Sequence, residues 1–289
     1  MVRLHRTSLL AAALLMAGCG GAEQAAAPTE SAVSSPEVAA AEIAEPEADD
    51  DGVDDDGVMV VIFEDATTPE ATNGRQIFED SQLLEDLAAN ATDLLKLPYD
   101  IPLIGTQCDQ ANAFWSPGDQ AMSMCYEYPD EAQQIFTEAG DADPIDSALN
   151  TQVATFYHEM GHMVIDIYDL PTTGREEDVA DQLSAYMLLA PGEDGRLDPD
   201  SVQAVKDSAR EFSANAEMYG VNESLLADVH SLDQTRAYNM LCWVYGADPE
   251  ANADLVSSGQ LPQDRADGCE DEWDKLVYAW DSLLDPHFK

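Results

Sequence analysis

Apolar residues recur along the chain with two different spacings, which predict a small sheet followed by a largely helical region. Two short, almost continuous apolar runs of the kind that form buried strands lie at residues 58–63 and 101–105. A turn at residues 116–119 separates the strand-like segments 113–115 and 121–128 and predicts a β-hairpin. Apolar residues three or four apart predict helices at residues 76–95, 130–139, 146–168, 176–189, 200–218, 231–245 and 269–284. This order predicts an α+β fold.

The N-terminal part of the chain has a composition unlike the rest. Residues 1–18 combine a basic start, a short apolar core and a small-residue cleavage site before Cys19, a layout that resembles a bacterial lipoprotein signal peptide. An ordinary secretory signal or an uncleaved anchor is the alternative. Residues 19–57 contain almost no large apolar side chain, so we expect a disordered acidic tether. Residues 58–289 are enough for one domain.

Cysteine usage agrees with export to the cell envelope. If Cys19 carries a lipid, an even set of four cysteines remains for an oxidising compartment. Proximity along the chain favours the pairs Cys108–Cys125 and Cys242–Cys269, one of three possible connectivities. None of the four has the C-x-x-C spacing of a zinc site.

The chain is strongly acidic, with a formal net charge of −46 at pH 7. Such a surface repels the phosphate backbone, which argues against nucleic acid as a partner. We expect contact with a membrane only through the N-terminal lipid.

A motif with clear chemical meaning lies in the predicted helix 146–168. His158 and His162 are four residues apart, so they project from one face of a helix and can present two imidazole nitrogens to one metal ion. Glu159 lies beside them, close enough to take a proton from a metal-activated water. The alternative is a surface helix with two solvated histidines.

A second pair of residues four apart opens the predicted helix 176–189. A catalytic zinc site needs three protein ligands, and its histidines need carboxylate partners. Glu177 as the third ligand and Asp181 as a partner of a zinc histidine would meet both needs, with Glu176 or Asp178 as substitutes for Glu177. An acidic helix start favoured by the helix dipole is the alternative interpretation.

The chain resembles the gluzincin metallopeptidases in these motifs. More closely, it looks like a bacterial family of secreted metallopeptidases of unknown function, from about residue 58 to the C-terminus. The matching stretches are residues 112–115, 125–127, 158–162, 174–182 and 236–246. The resemblance implies a zincin-like fold in which the sheet and its hairpin lie over the active-site helix. It also implies one Zn²⁺ bound by His158, His162 and Glu177, with Glu159 as the general base.

The oxyanion formed during amide hydrolysis needs a donor besides the metal. His230 is the first candidate, because gluzincins often supply a histidine from a later helical segment, and Arg236 and Tyr238 are rivals. Alternatively, His230 is a histidine at a helix start or in the core that is tied to Asp228 or Asp233.

Two functions follow from these motifs. The first is a zinc-dependent peptidase of the bacterial cell envelope, which hydrolyses peptides or proteins with a metal-activated water. The second is a catalytically silent envelope lipoprotein that uses the same fold as a protein- or peptide-binding module. The intact Glu159 favours the enzyme, because a scaffold would not need a carboxylate there.

Overall fold

A computed structural model describes residues 57–192 and 194–289. The predicted signal peptide, Cys19 with its predicted lipid and all but the last residue of the predicted tether lie outside the described residues. The described part has the predicted α+β layout, a small sheet followed by helices. Within it, no helix combines the length and hydropathy that a membrane span requires.

The sheet has four strands in the order β1-β2-β4-β3: β1 is Met59–Phe63, β2 is Ile101–Thr106, β3 is Ala113–Ser116 and β4 is Ala121–Cys125. The pairs β1–β2 and β2–β4 are parallel, whereas β3 runs antiparallel to β4. The predicted hairpin is therefore confirmed, and its first strand, β3, forms one edge of the sheet. Its second strand ends at Cys125 rather than at residue 128, because α3 already begins at Glu127.

Eleven helices are described, and a short 3₁₀ helix, Asp285–His287, follows the last of them. In chain order they are α1 Pro69–Ser81, α2 Leu83–Leu94, α3 Glu127–Ala139, α4 Pro144–Ile167, α5 Glu176–Leu188, α6 Pro199–Tyr219, α7 Glu223–Leu226, α8 Asp233–Ala247, α9 Ala253–Ser257, α10 Gln263–Ala266 and α11 Cys269–Leu284.

One prediction about the helices is wrong. The segment predicted as a single helix at residues 76–95 belongs to two helices. The first begins earlier, where Thr68 caps the N-terminus and Pro69 occupies the first turn. The break falls at Gln82, whose backbone is left-handed with φ 56°.

Helix α4 lies at the centre of the domain and carries the His-Glu-x-x-His motif. The Asp143 side chain accepts from the Asp146 N–H at its start, and the helix packs against α3, α5, α6 and the edge strand β3. Gly161 is where α5 comes closest. A Cβ at that position would lie 2.8 Å from the Ala180 Cα, so only glycine allows this approach.

Both predicted disulfides are present. Cys108–Cys125 joins the loop after β2 to the end of β4, and Cys242–Cys269 joins α8 to the start of α11. The cross-linked residues are 17 and 27 positions apart. Closed loops of this size stabilise a fold by about 3 kcal/mol each, chiefly by restricting the unfolded chain.

The C-terminal segment is held against the domain. The Lys96 N–H donates to the His287 carbonyl at 2.9 Å, and the Lys289 N–H donates to the Leu94 carbonyl at 3.0 Å. The His287 ring stacks on Tyr168 with 3.8 Å between ring centroids. These contacts close the C-terminal segment onto the loop after α2.

Candidate metal centre

The histidine motif lines a cavity of about 650 Å³ that lies between α4, the start of α5 and the segment before α8. Its walls include His158, Glu159, His162, Glu177, His230 and Arg236. The edge strand β3 forms another side of the cavity through Ala113, Phe114 and Trp115. The structure thus gathers residues that are more than 70 positions apart in the sequence around one space.

Three imidazoles converge on one carboxylate oxygen. Glu177 Oε2 lies 3.3 Å from His158 Nε2, 3.3 Å from His162 Nε2 and 3.0 Å from His230 Nε2. None of these contacts has the alignment of a hydrogen bond, so Glu177 Oε2 is a buried oxygen without a hydrogen-bond partner. Such an oxygen is costly to bury unless another group satisfies it.

A metal ion fits this arrangement. In a tetrahedral site with bonds of zinc length, neighbouring ligand atoms lie about 3.3 Å apart, close to the spacing around Glu177 Oε2. The ligand atoms of His158, Glu177 and His230 all lie within 4.8 Å of one another. Imidazole nitrogen and carboxylate oxygen are also the donor types that first-row metals take in proteins.

Each of the three histidines has a carboxylate on its other ring nitrogen. The Nδ1 distances are 2.8 Å from His158 to Asp181, 2.8 Å from His162 to Glu176 and 2.8 Å from His230 to Asp228. A carboxylate at Nδ1 places the proton there and leaves the Nε2 lone pair for a metal. The sequence predicts the Asp181 contact but assigns Glu176 only as a substitute ligand.

Arg236 lies behind His158. Its Nε and Nη2 each donate to Asp181 at 2.8 Å, and its guanidinium lies 4.0 Å from the centre of the Phe212 ring. The pair is buried, with side-chain exposures of 12% for Arg236 and 4% for Asp181. This bidentate bond orients Asp181, and Asp181 in turn orients the His158 ring.

Tyr238, which the sequence offers as an alternative to His230 as the oxyanion donor, does not line this cavity. It lines a second cavity, together with Phe136 and Leu241, between α3, α6 and α8. The tyrosine that does line the metal cavity is Tyr128 at the start of α3, which the sequence analysis missed. Burial raises the pKa of its phenol, and Thr155 on α4 is its hydrogen-bond partner.

Glu159 is held at the edge of the sheet. It is only 6% exposed, and its Oε2 accepts a hydrogen bond of 2.9 Å from the Trp115 backbone N–H of β3. The Trp115 indole donates to Asp166, about two helical turns further along α4. Strand β3 is therefore tied to α4 at two points beside the histidines.

The electrostatics of the site favour a charged carboxylate surrounded by imidazoles. Burial works to raise the pKa of the Glu177 carboxyl, but the neighbouring imidazoles outweigh burial and hold that pKa well below its usual range. Burial also opposes protonation of His162, yet Glu177 and Glu176 raise its pKa to about 9. Glu177 and Asp228 raise the pKa of His230 in the same way.

Fold and site together define a candidate metal centre of the His-Glu-x-x-His type. A family model described as "Putative metallopeptidase" (DUF4344) matches residues 63–284. The chain therefore belongs to this metallopeptidase family. Neither the curated proteins nor the solved structures include a significant match.

Proposed function

We propose that this protein is a zinc-dependent peptidase of the gluzincin type that acts in the bacterial cell envelope. The observation that carries the proposal is Glu177 Oε2, a buried oxygen without a hydrogen-bond partner that faces the histidines of the motif. His158, His162 and Glu177 hold the metal. A bound Zn²⁺ supplies Lewis acidity, which lowers the pKa of water and polarises a carbonyl.

Glu159 is the general base in this proposal. It takes the proton of the attacking water and returns it to the leaving amine. The hydrogen bond from the Trp115 N–H holds one of its oxygens and leaves the other to exchange the proton. Its burial beside the motif keeps bulk water from competing for that oxygen.

The substrate is an extended peptide or protein segment. Strand β3 is an edge strand that borders the cavity, and its outer edge can pair with an extended chain through main-chain hydrogen bonds. His230, whose Nε2 lies 3.0 Å from Glu177 Oε2, donates a hydrogen bond to the developing oxyanion when its ring is doubly protonated.

The proposal also includes export of the protein and attachment of a lipid to its N-terminal cysteine. The pattern of residues 1–18 supports a lipoprotein signal with Cys19 as the acylated residue. Two disulfides in the folded domain support an oxidising compartment. Intact mass spectrometry of the unreduced protein tests this. An unmodified peptide preceding Cys19 in the mature protein contradicts lipid attachment.

Metal analysis combined with peptide-library cleavage tests the enzymatic proposal. We expect about one zinc per chain, and cleavage that a chelator abolishes and added Zn²⁺ restores. A protein that holds zinc but cleaves no peptide contradicts the peptidase and favours the silent binding module. A protein that binds no metal contradicts both the zinc centre and the enzyme.

A further inference from the structure

His230 approaches the metal centre more closely than a remote donor would need to. Its Nε2 lies 3.0 Å from Glu177 Oε2, closer than either histidine of the motif. Its ring belongs, with His158 and Glu177, to the group whose ligand atoms lie within 4.8 Å of one another. By position, His230 is thus equivalent to His158, and this group of three does not include His162, whose Nε2 lies 3.3 Å from Glu177 Oε2.

The surroundings of His230 match those of a ligand. Asp228 Oδ1 lies 2.8 Å from its Nδ1 and also accepts from the His230 backbone N–H at 2.9 Å. Asp228 therefore sets both the backbone and the ring of His230, as Asp181 sets the ring of His158. An imidazole held at Nδ1 by a carboxylate presents the Nε2 lone pair forward.

We propose that His230 is a fourth, displaceable ligand of the metal, so that the resting site holds three imidazoles and Glu177. This inference rests on the proposed zinc function. A catalytic zinc needs an open position, whereas four protein ligands close a tetrahedral site. His230 must therefore leave before water and substrate can enter, and the free enzyme is latent.

Of the proposed ligands, His230 is the one best placed to dissociate from the metal. Its side chain is 44% exposed, whereas those of His158 and His162 are 10% and 14% exposed. The two histidines of the motif sit on a 24-residue helix in the core, but His230 lies in the irregular segment between α7 and α8. Its carbonyl accepts from Arg175, which is itself exposed. Moving this segment disturbs little of the core.

Arg236, in the first turn of α8, is held in place by contacts with neighbouring elements. Arg236 is clamped by Asp181 and Phe212. On the other side of the segment, Gly220 ends α6 with φ 63°, and Val221 and Val229 are 67% and 66% exposed. Residues 221–232 can thus swing as a unit between two anchored helices.

X-ray absorption at the zinc edge tests the proposal, because it counts the imidazoles around the metal. The samples are the full chain loaded with Zn²⁺, His230→Ala, and Val229→Ala as a control in the same segment. We expect three imidazoles in the wild type and in Val229→Ala but two in His230→Ala. Zinc affinity should fall in His230→Ala by at least about tenfold, the lower limit seen when an outer partner of a ligand is removed.

Adding acetohydroxamate, a small bidentate chelating probe, tests displacement. We expect the wild-type count to fall from three imidazoles to two when the probe binds. Two imidazoles in the free wild type, with zinc affinity unchanged in His230→Ala, would overturn the fourth ligand while leaving a two-histidine peptidase intact. Three imidazoles that persist at saturating probe would overturn displacement. Absence of bound zinc would overturn both this inference and the proposed function.

Discussion

Glu159 occupies a position in which a carboxylate has chemical rather than structural value. It neighbours His158 on α4 but points at β3, where the Trp115 N–H holds it. Glu159→Gln keeps the shape and can still accept that hydrogen bond through its amide oxygen. It removes the proton acceptor.

We therefore expect Glu159→Gln to bind zinc and melt as the wild type does, while peptide hydrolysis falls by two or more orders of magnitude. Zinc content, melting temperature and initial rates on a quenched peptide library measure these effects. Equal cleavage by both proteins contradicts the general-base role and assigns the activity elsewhere. Loss of zinc in the variant means that Glu159 supports the metal instead.

Asp181 has two roles, because it orients the His158 ring and neutralises Arg236. In Asp181→Asn, the single amide oxygen cannot serve both His158 and the two guanidinium nitrogens, and the amide carries no charge to neutralise Arg236. We expect zinc affinity to fall about ten- to a hundred-fold. The free energy of unfolding should fall by about 3 kcal/mol, because a buried arginine loses its partner.

Chelator competition measures the zinc affinity of Asp181→Asn, and urea denaturation measures its free energy of unfolding. Asp178→Asn, on the same helical turn but without a histidine contact, is the matched control and should change neither quantity by much. A variant that is destabilised but keeps full zinc affinity would confine Asp181 to its structural role.

At the scale of elements, the close approach of α4 and α5 brings Glu177 to the histidines. Gly161 makes the approach possible, since a Cβ there would meet the Ala180 Cα at 2.8 Å and its Cβ at 3.1 Å. The backbone of α5 must shift to admit that carbon, and Glu177 lies three residues before Ala180 on the same helix.

We expect Gly161→Ala to lower the free energy of unfolding by about 1–3 kcal/mol through overpacking and to weaken zinc binding as well. Denaturant titration and chelator competition are the measurements. Gly174→Ala, in the connection between α4 and α5, is the control because a Cβ there meets nothing within 4 Å. Unchanged zinc affinity in Gly161→Ala would mean that Glu177 reaches the metal without close helix packing.

Helices and strands whose apolar residues recur at a regular spacing were predictable from the sequence. A helix break that depends on tertiary structure was not. The sheet, the hairpin and the long helices follow from apolar spacing. The break at Gln82 was missed because a left-handed glutamine has no sequence signal. Residues within one helix turn, such as His158 and His162, could be grouped from sequence. The contacts of His230 with Glu177 and of Tyr128 with Thr155 join distant segments, so spacing could not reveal them.

On the scale of the whole molecule, the stability of the fold depends on the protonation of buried ionisable groups as well as on apolar packing. Glu211 on α6 is only 2% exposed. Burial is the largest cause of its pKa shift and raises the pKa of the carboxyl to about 8, from 4.5 in an unfolded chain. The folded protein therefore holds a neutral Glu211 at neutral pH.

The sign of the pH dependence follows from this difference. Between pH 4.5 and about 8, the unfolded chain has lost the Glu211 proton and the folded protein keeps it. This group's contribution to stability is thus fully present below pH 4.5, declines as pH rises and is lost above about pH 8. Glu211→Gln, which is neutral at every pH, removes the decline.

We expect Glu211→Gln to match the wild type near pH 4.5 and to exceed it at pH 8 by a few kcal/mol, since each pKa unit corresponds to about 1.4 kcal/mol. Urea denaturation across this range gives the difference between the two proteins and cancels contributions from other titrating groups. Glu217→Gln, at an exposed position on the same helix, is the control. Its free energy of unfolding should depend on pH as that of the wild type does. If the gap between Glu211→Gln and the wild type does not widen with pH, Glu211 is ionised in the folded protein, and Arg236, which acts to lower its pKa, offsets its burial.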